Sequence, residues 1–192
     1  MNPSPDICIQ GDGAVGMSLA LALARQGLQV ALVGAAPVAG GATSDVRTYA
    51  LNAASRALLT ELRIWPALPE DAVTAVYDMH VEGDSRGSAI DFSAWRQHSE
   101  ALAWIVDAAA LTTTLRDAIR FAPHLSVVNQ PQSAALTVLA EGKNSRERAA
   151  RGARFERHAY DHHALAARVT ASQPHAGVAR QWFRSPDVLA PG

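Results

Sequence analysis

Apolar runs and glycines alternate over the first thirty-four residues. Two short runs, Asp6–Gln10 and Leu28–Val33, have the near-continuous apolar character of parallel strands that are covered on both faces. Between them, Met17–Gln26 is rich in the helix formers Ala and Leu, and Gly27 is a natural helix end. The pattern predicts a strand–helix–strand unit of about 30 residues, in which residues 11–16 form the first turn.

The rest of the chain predicts two longer helices and several strands. Asn52–Leu62 and Ala108–Arg120 carry apolar residues at helical spacing. Strands are expected over Thr74–Glu82, Ala89–Ser93, Ala103–Val106, Leu125–Val128, Ala135–Ala140, Leu165–Thr170 and Val178–Phe183. A short Gly-containing turn joins the first two of these strands, which predicts an antiparallel pair. Together the elements predict an α/β fold.

Composition narrows the class of protein. With 192 residues, 48% of them apolar, the chain can bury one substantial core. A formal net charge of -1 gives no field that favours nucleic acid or an anionic membrane. The apolar run Met17–Ala24 is shorter than the roughly 20 residues of a membrane span, and no Lys or Arg precedes it as in a signal peptide. We therefore expect a cytoplasmic chain with no transmembrane segment.

Neither the cysteine nor the histidines predict a metal centre. Cys8 is the single cysteine, which excludes an internal disulfide and a cysteine-based zinc cluster. His158 and His162 are four residues apart, with His163 and Asp161 beside them, but no further ligand has motif spacing. The basic residues between 143 and 157 indicate a solvated face more than a nucleic-acid surface. We expect no metal and no nucleic-acid partner.

The first predicted turn has the G-x-G-x-x-G pattern of dinucleotide-binding proteins. It reads Gly11, Asp12, Gly13, Ala14, Val15, Gly16. In this pattern the first glycine allows a tight turn, the second leaves room for a diphosphate, and the third lets the helix pack closely on the strand. Free N–H groups at the helix N-terminus then hold the diphosphate. The alternative is a glycine turn without a ligand, but the strand and helix on either side favour dinucleotide binding.

One part of this fingerprint is absent. An Asp or Glu is expected about 20 residues further on, where it binds the adenosine ribose. The residue after the second predicted strand is Gly34, no acidic residue occurs from Gly13 to Ser44, and residues 35–46 predict a loop. Either backbone and water hold the ribose, or the affinity for adenosine is reduced. A glutamate introduced at Gly34 is then expected to strengthen binding.

Four stretches of the chain are similar to one enzyme family. They are residues 6–16; Asp45–Asn52 with Ser55 and Ile64–Pro66; Leu102–Asp107 with Leu111 and Leu115; and Pro174–His175 with Ala179, Gln181–Phe183 and Val188–Ala190. Because the four stretches occur in the same order as in that family, the chain resembles the FAD-dependent aromatic hydroxylases. Its closest likeness is to the ubiquinone-biosynthesis hydroxylases, relatives of p-hydroxybenzoate hydroxylase.

The resemblance implies both a fold and a reaction. It implies a Rossmann-like FAD-binding domain with fragments of an antiparallel substrate-domain sheet. The reaction would be hydroxylation of a small aromatic or prenylated phenol with FAD, NAD(P)H and O₂. Two alternatives stay open: a non-catalytic nucleotide-binding remnant or interaction module, and an NAD(P)-dependent oxidoreductase. The stretch Asp45–Leu51 argues against the second, because nicotinamide-binding folds have no reason to contain it.

The resemblance also suggests site residues beyond the glycine turn. Arg47 matches the family arginine that approaches the flavin, although a surface arginine in a loop would look the same. Glu141 and Gly142 match an Asp-Gly motif near the diphosphate and the nicotinamide route; the alternative is a plain strand-to-loop turn. The complete cofactor-binding set is Gly11, Gly13, Ala14, Val15, Gly16, Arg47, Glu141 and Gly142. No catalytic residue is identified.

The family pattern divides the chain into four segments. Residues 1–72 and 98–150 would belong to the FAD-binding domain, and residues 73–97 and 151–192 to a substrate domain that relatives continue further. We expect activity to be impaired if that continuation is missing, and full-length relatives allow peripheral membrane association. The apolar residues Phe183, Val188 and Leu189 would then form an exposed edge that favours self-association.

Overall fold

The computed structural model describes residues 4–34, 45–156, 158, 163–184 and 187–190. Its strands are β1 (Ile7–Gln10), β2 (Val30–Val33), β3 (Thr48–Leu51), β4 (Val73–Val76), β5 (Asp78–Glu82), β6 (Ala89–Ser93), β7 (Ala103–Asp107), β8 (Leu125–Val128), β9 (Leu136–Leu139), β10 (Val178–Arg184) and β11 (Asp187–Leu189). Its α-helices are α1 (Ala14–Arg25), α2 (Ala53–Glu61), α3 (Ala108–Arg120) and α4 (Arg146–Ala150). Short 3₁₀ turns cover Trp65–Ala67, Glu70–Ala72 and Gly142–Asn144.

The chain divides into two compact units, each assembled from two segments. The first unit comprises Met1–Ser44 and Leu111–Leu165, and the second comprises Asp45–Ala110 and Ala166–Gly192. The functional division at residues 72, 97 and 150 stays a prediction.

A parallel sheet forms the first unit. Its strand order is β8, β2, β1, β9, and every neighbouring pair is parallel. All of β1 is buried, and α1 buries Met17, Leu21 and two alanines on one face. This burial confirms the predicted strand–helix–strand unit and explains why both strands are apolar except at Gln10, the last residue of β1.

Two sheets make up the second unit. The first is antiparallel, with the order β3, β7, β4. The second has the order β11, β10, β5, β6; β10 runs parallel to β5, and the other two pairs are antiparallel. The predicted antiparallel pairing of β5 with β6 is confirmed, and so is the α/β class.

The helices agree closely with the sequence pattern. Asn52 caps α2, since its side-chain oxygen accepts a hydrogen bond of 2.9 Å from the Ser55 N–H. The predicted stripe on α3 is confirmed, and its buried residues are Leu111, Leu115 and Ile119. Helix α1 begins three residues before the predicted start, because Gly13 already acts as its N-cap and accepts from the Met17 N–H at 3.0 Å.

The predicted strand Thr74–Glu82 is in fact two strands in different sheets. The break is at Tyr77, whose N–H donates to the Gly177 carbonyl and whose carbonyl accepts from the Ala94 N–H, both at 2.8 Å. These bonds lead the chain out of the sheet of β4 and into the sheet of β5. Uninterrupted apolar alternation gives no sign of such a change.

One strand prediction was wrong, and two strands, β3 and β11, were not predicted. Residues Leu165–Thr170 form no strand, and Leu165 and Val169 are 99% and 82% exposed. A segment with strand-forming residues needs a neighbouring strand, and none pairs with this segment among the described residues. Conversely, β3 forms by pairing with β7, although its own side chains are mostly exposed.

No helix among the described residues has the length and apolar character needed to cross a membrane.

Strand β11 offers an apolar edge. In the part of the chain that the structure describes it pairs only with β10, and Phe183, Val188 and Leu189 are all exposed. An open edge with apolar side chains can pair with a second chain. Self-association through this edge remains a prediction.

We expect Val188→Lys to weaken any self-association by about tenfold or more. Burial of a Val-sized side chain is worth about 1.5–3 kcal/mol, and about 1.4 kcal/mol corresponds to a factor of ten. Sedimentation velocity over a concentration series measures the effect. Val169→Lys, in the exposed segment without strand pairing, is the matched control and should change nothing. A parent chain that is monomeric at every concentration would contradict the prediction.

Candidate dinucleotide-binding site

The glycine turn lies at the carboxyl ends of the parallel strands. It joins β1 to α1, and the Gly11 N–H donates to the Val33 carbonyl at 3.2 Å, which holds the turn beside the end of β2. In open α/β sheets, ligands bind at this edge, where the loops leave the strands. The structure therefore places the predicted motif where the fingerprint requires it.

Two of the glycines are required by contacts between backbones. Gly11 has a φ of 121°, and a Cβ added there would lie 2.4 Å from the Ala140 carbonyl oxygen. A Cβ on Gly16 would lie 1.9 Å from the Gly11 carbonyl oxygen. Any side chain at these positions would separate the turn from β9 or from α1, so both positions need glycine.

Gly13 differs from the other two because the space beside it is open. A Cβ added there would meet no atom within 4 Å, and its backbone is in the ordinary extended region. Neither space nor backbone strain therefore requires glycine at this position, although glycine is among the residues favoured at a helix N-cap. Open space beside a glycine at a helix N-terminus fits the close approach of a diphosphate.

The first turn of α1 supplies the donors for an anion. The N–H groups of Ala14, Val15 and Gly16 precede the first intrahelical bond, which Met17 makes. Val15 is 75% exposed, so this end of the helix is accessible to solvent. Five of the predicted residues, Gly11, Gly13, Ala14, Val15 and Gly16, are thus brought together.

Glu141 and Gly142 follow β9, and the Glu141 backbone lies beside the glycine turn. The Glu141 backbone nitrogen would be 2.8 Å from a Cβ on Gly11. The Glu141 carboxylate, however, accepts a hydrogen bond of 2.5 Å from the Ser145 hydroxyl, and that hydroxyl accepts from the Arg148 N–H. The carboxylate therefore supports the turn into α4, and contact of Glu141 and Gly142 with a diphosphate remains a proposal.

Arg47 belongs to the second unit and forms a bidentate ion pair with Asp45. Its Nε and Nη2 groups donate to the two carboxylate oxygens at 2.8 and 2.7 Å, and its side chain is 71% exposed. These hydrogen bonds lower the pKa of Asp45 to about 2 and raise the pKa of Arg47. The pair presents an oriented guanidinium just before β3, and its approach to a flavin remains a proposal.

A second carboxylate in this unit, Asp107, caps α3. Burial alone would raise the pKa of Asp107, but hydrogen bonds from the Ala110 N–H and from Arg168 outweigh it, and the pKa is lowered. The charged carboxylate is therefore favoured at the positive end of the helix.

The structure argues against the expected benefit of a glutamate at Gly34. A Cβ at this position would lie 2.9 Å from Asp12 Cβ and 3.2 Å from Asp12 Oδ2. A glutamate would therefore collide with a residue of the glycine turn and add a second negative charge beside it. Sequence reasoning passed over Asp12, although a charged residue within a glycine motif is itself a signal.

Some predicted features lie outside the described residues. These are Asp161, His162 and most of the loop after Gly34, residues 35–44. In the ranges that are described, no group of three His, Cys, Asp or Glu side chains could hold a metal ion.

No family model matches the chain. Several solved structures share its fold. A variant of PqsL from Pseudomonas aeruginosa has a TM-score of 0.66 at 18% identity, over 81% of this chain and 48% of its own. The p-nitrophenol 4-monooxygenase PnpA from Pseudomonas putida DLL-E4 has a TM-score of 0.59 at 15% sequence identity, and the match covers 77% of this chain and 43% of PnpA. The rebeccamycin biosynthetic enzyme RebC, with reduced flavin, has a TM-score of 0.55 at 18% sequence identity, and the match covers 77% of this chain and 34% of RebC.

These likenesses establish the fold. The chain has the mixed α/β, Rossmann-like fold that flavin-dependent monooxygenases contain. It spans only between about a third and a half of the length of the three proteins.

We expect Gly13→Val to abolish dinucleotide binding while the fold is kept. The branched side chain would fill the open space beside the turn, whereas the backbone conformation suits any residue. Isothermal titration with ADP should show at least about a hundredfold loss of affinity, or about 2.7 kcal/mol. Far-ultraviolet circular dichroism should be unchanged.

Gly16→Ala is the matched control for this variant. Its added methyl group would meet the Gly11 carbonyl, so it should lower the midpoint of thermal unfolding as well as binding. A Gly13→Val chain that binds ADP like the parent would contradict the placement of the diphosphate.

A second prediction concerns the ion pair of Arg47 with Asp45. Because the pKa of Asp45 is lowered from 3.8 to about 2, its contribution to stability is present above pH 3.8 and lost as pH falls through about 2. In Arg47→Gln, the pKa of Asp45 should return towards 3.8. Carboxyl carbon chemical shifts measured against pH test this. Arg56→Gln, which removes the partner of Glu100 instead, should leave Asp45 unchanged.

Proposed function

We propose that this chain binds FAD and forms the dinucleotide-binding part of a monooxygenase that hydroxylates an aromatic ring. One observation carries the proposal: Gly13 borders open space, between two glycines that contacts between backbones require, at the carboxyl edge of a parallel sheet. Close contacts require glycine at only two of these positions. The third is a helix N-cap that could accept several residues, and a ligand that approaches the backbone accounts for the absence of a side chain there.

The first unit accounts for the ADP half of the cofactor. The N–H groups of Ala14, Val15 and Gly16, together with the positive end of α1, would hold the diphosphate. The Glu141 backbone lies beside the same turn, and Glu141 and Gly142 would border the diphosphate. When bound, FAD supplies the redox and oxygen chemistry of hydroxylation, and the protein positions it.

Arg47 would serve the flavin half. A guanidinium presents several N–H donors in a fixed plane, which suits a diphosphate or the hydroxyls of a ribityl chain. Asp45 holds this plane by two hydrogen bonds while most of the arginine side chain stays exposed. Arg47 is therefore proposed as a flavin-binding residue.

The shared fold supports a flavin over a nicotinamide cofactor. PqsL is described as "a probable FAD-dependent monooxygenase", and one of its structures is a complex with 2-aminobenzoylacetate, an aromatic compound. We extend this to the present chain as a proposal: the substrate is a small aromatic or prenylated phenol of the ubiquinone-precursor type, with NAD(P)H and O₂ as co-substrates. A cytoplasmic location, with peripheral contact to the membrane that holds prenylated substrates, fits this chemistry.

A second candidate is a nucleotide-binding chain without catalytic activity. It is favoured by the site itself, since the donors available to a ligand at the described turn are backbone N–H groups, which suit a diphosphate, and the nearby Glu141 carboxylate is engaged by Ser145. The experiment below separates the two candidates.

Ligands that share or lack the ADP half test the proposal on the full chain. We expect FAD and ADP to bind, and FMN, which lacks the AMP part of FAD and has a single phosphate, to bind at least about tenfold more weakly than FAD, or about 1.4 kcal/mol. FAD should also bind more tightly than ADP because of its flavin half, whereas NAD should gain nothing over ADP. Isothermal titration and the visible absorbance of bound flavin measure these affinities. Tighter binding of NAD than of FAD would overturn the assignment.

Anaerobic addition of NADH or NADPH to the FAD-loaded chain tests the reaction. Bleaching of the flavin absorbance that a phenol accelerates supports the monooxygenase. A bound flavin that stays oxidised supports the non-catalytic candidate.

A further inference from the structure

The carboxylate of Asp12 lies at the end of β2, although Asp12 belongs to the turn after β1. A Cβ built on Gly34, the first residue after β2, would be 2.9 Å from Asp12 Cβ and 3.2 Å from Asp12 Oδ2. Both turns are fixed by the sheet, since the Gly11 N–H donates to the Val33 carbonyl and the Gly34 N–H donates to the Val128 carbonyl, each at 3.2 Å. The hydrogen bonds of the sheet therefore hold positions 12 and 34 next to each other.

This location is where a dinucleotide-binding unit needs a carboxylate. The acid that accepts hydrogen bonds from the adenosine ribose normally projects from the end of the second strand. Here that position is a glycine, and the carboxylate of Asp12 fills the volume that its side chain would enter. The absence of a side chain at position 34 and the acid at position 12 are thus complementary.

The charge of Asp12 has a partner on α3. Arg116 Nη2 lies 3.9 Å from Asp12 Oδ2, and the Asp12 side chain remains 37% exposed. An isolated carboxylate next to a diphosphate would repel it, and the guanidinium offsets this repulsion. Enough of the carboxylate is exposed to accept hydrogen bonds from a ligand.

We propose that Asp12 is the ribose-binding residue of this site and accepts hydrogen bonds from the 2′ and 3′ hydroxyls of the adenosine ribose. The glycine turn then holds the diphosphate with its backbone and the sugar with its one charged side chain. This assignment rests on the proposed binding of the ADP half.

A binding cycle on the full chain tests the assignment. The parent should bind ADP about tenfold more tightly than 2′,3′-dideoxy-ADP, which corresponds to about 1.4 kcal/mol. In Asp12→Ala this preference should disappear: affinity for ADP falls about tenfold and affinity for the dideoxy analogue stays within about twofold. Isothermal titration gives all four constants.

Two further variants separate the role in ribose binding from a role of charge or structure. Asp117→Asn removes an acid from α3, next in sequence to Arg116, and should change neither affinity. Arg116→Gln should lower the affinity for ADP and for the dideoxy analogue by the same factor, because it removes only the charge that offsets Asp12.

Outcomes that overturn the assignment differ from failure of the proposed function. Equal changes for both ligands in Asp12→Ala, in either direction, would show that Asp12 acts through charge or turn structure and would overturn the assignment. An unchanged preference for ADP would overturn it as well. Absence of ADP binding in the parent would instead overturn the proposed function on which the assignment rests.

Discussion

Close contact between backbones at the glycine turn is the constraint on which the site depends. Gly11 lies against the peptide after β9, and Gly16 lies against Gly11, with no side chain between them. These contacts fix where α1 begins and leave Gly13 facing open space. They also aim Asp12 at the end of β2. A few ångströms of separation at either contact would change all three features together, so the ligand-binding geometry is a property of the packed sheet and not of the loop alone.

Local patterns were sufficient for most of the fold. The β1–α1–β2 unit, α2 and α3 were predicted because each has its own periodicity and its own start or stop residue. The break at Tyr77 was not predictable, since it depends on hydrogen bonds with Gly177 and Ala94, which are distant in sequence. The segment Leu165–Thr170 shows the opposite error: its apolar residues suggested a strand, but no neighbouring strand among the described residues pairs with it.

The candidate site, too, was predictable only where it depends on local sequence. The diphosphate-binding part is contiguous in sequence, and the G-x-G-x-x-G pattern locates it. The ribose-binding part depends on which strand end the turn touches, so Gly34 suggested a missing acid while Asp12 lay next to it in space. For Glu141, the pattern identified a residue beside the turn but not the hydrogen bond to Ser145 that engages its carboxylate. Non-local contacts decide what each candidate side chain is free to do.

The junction at Tyr77 has a consequence for the order in which the second unit forms during synthesis. Strands β3, β4 and β7 pair within residues 48–107, so their sheet can form early. Strand β5 lies between β6 and β10, and β10 begins a hundred residues after β5, at Val178 against Asp78. A ribosome that adds about 5–20 residues per second leaves β5 half-paired for about 5–20 seconds. During that interval one side of β5 is an unpaired strand edge, which can pair with another chain.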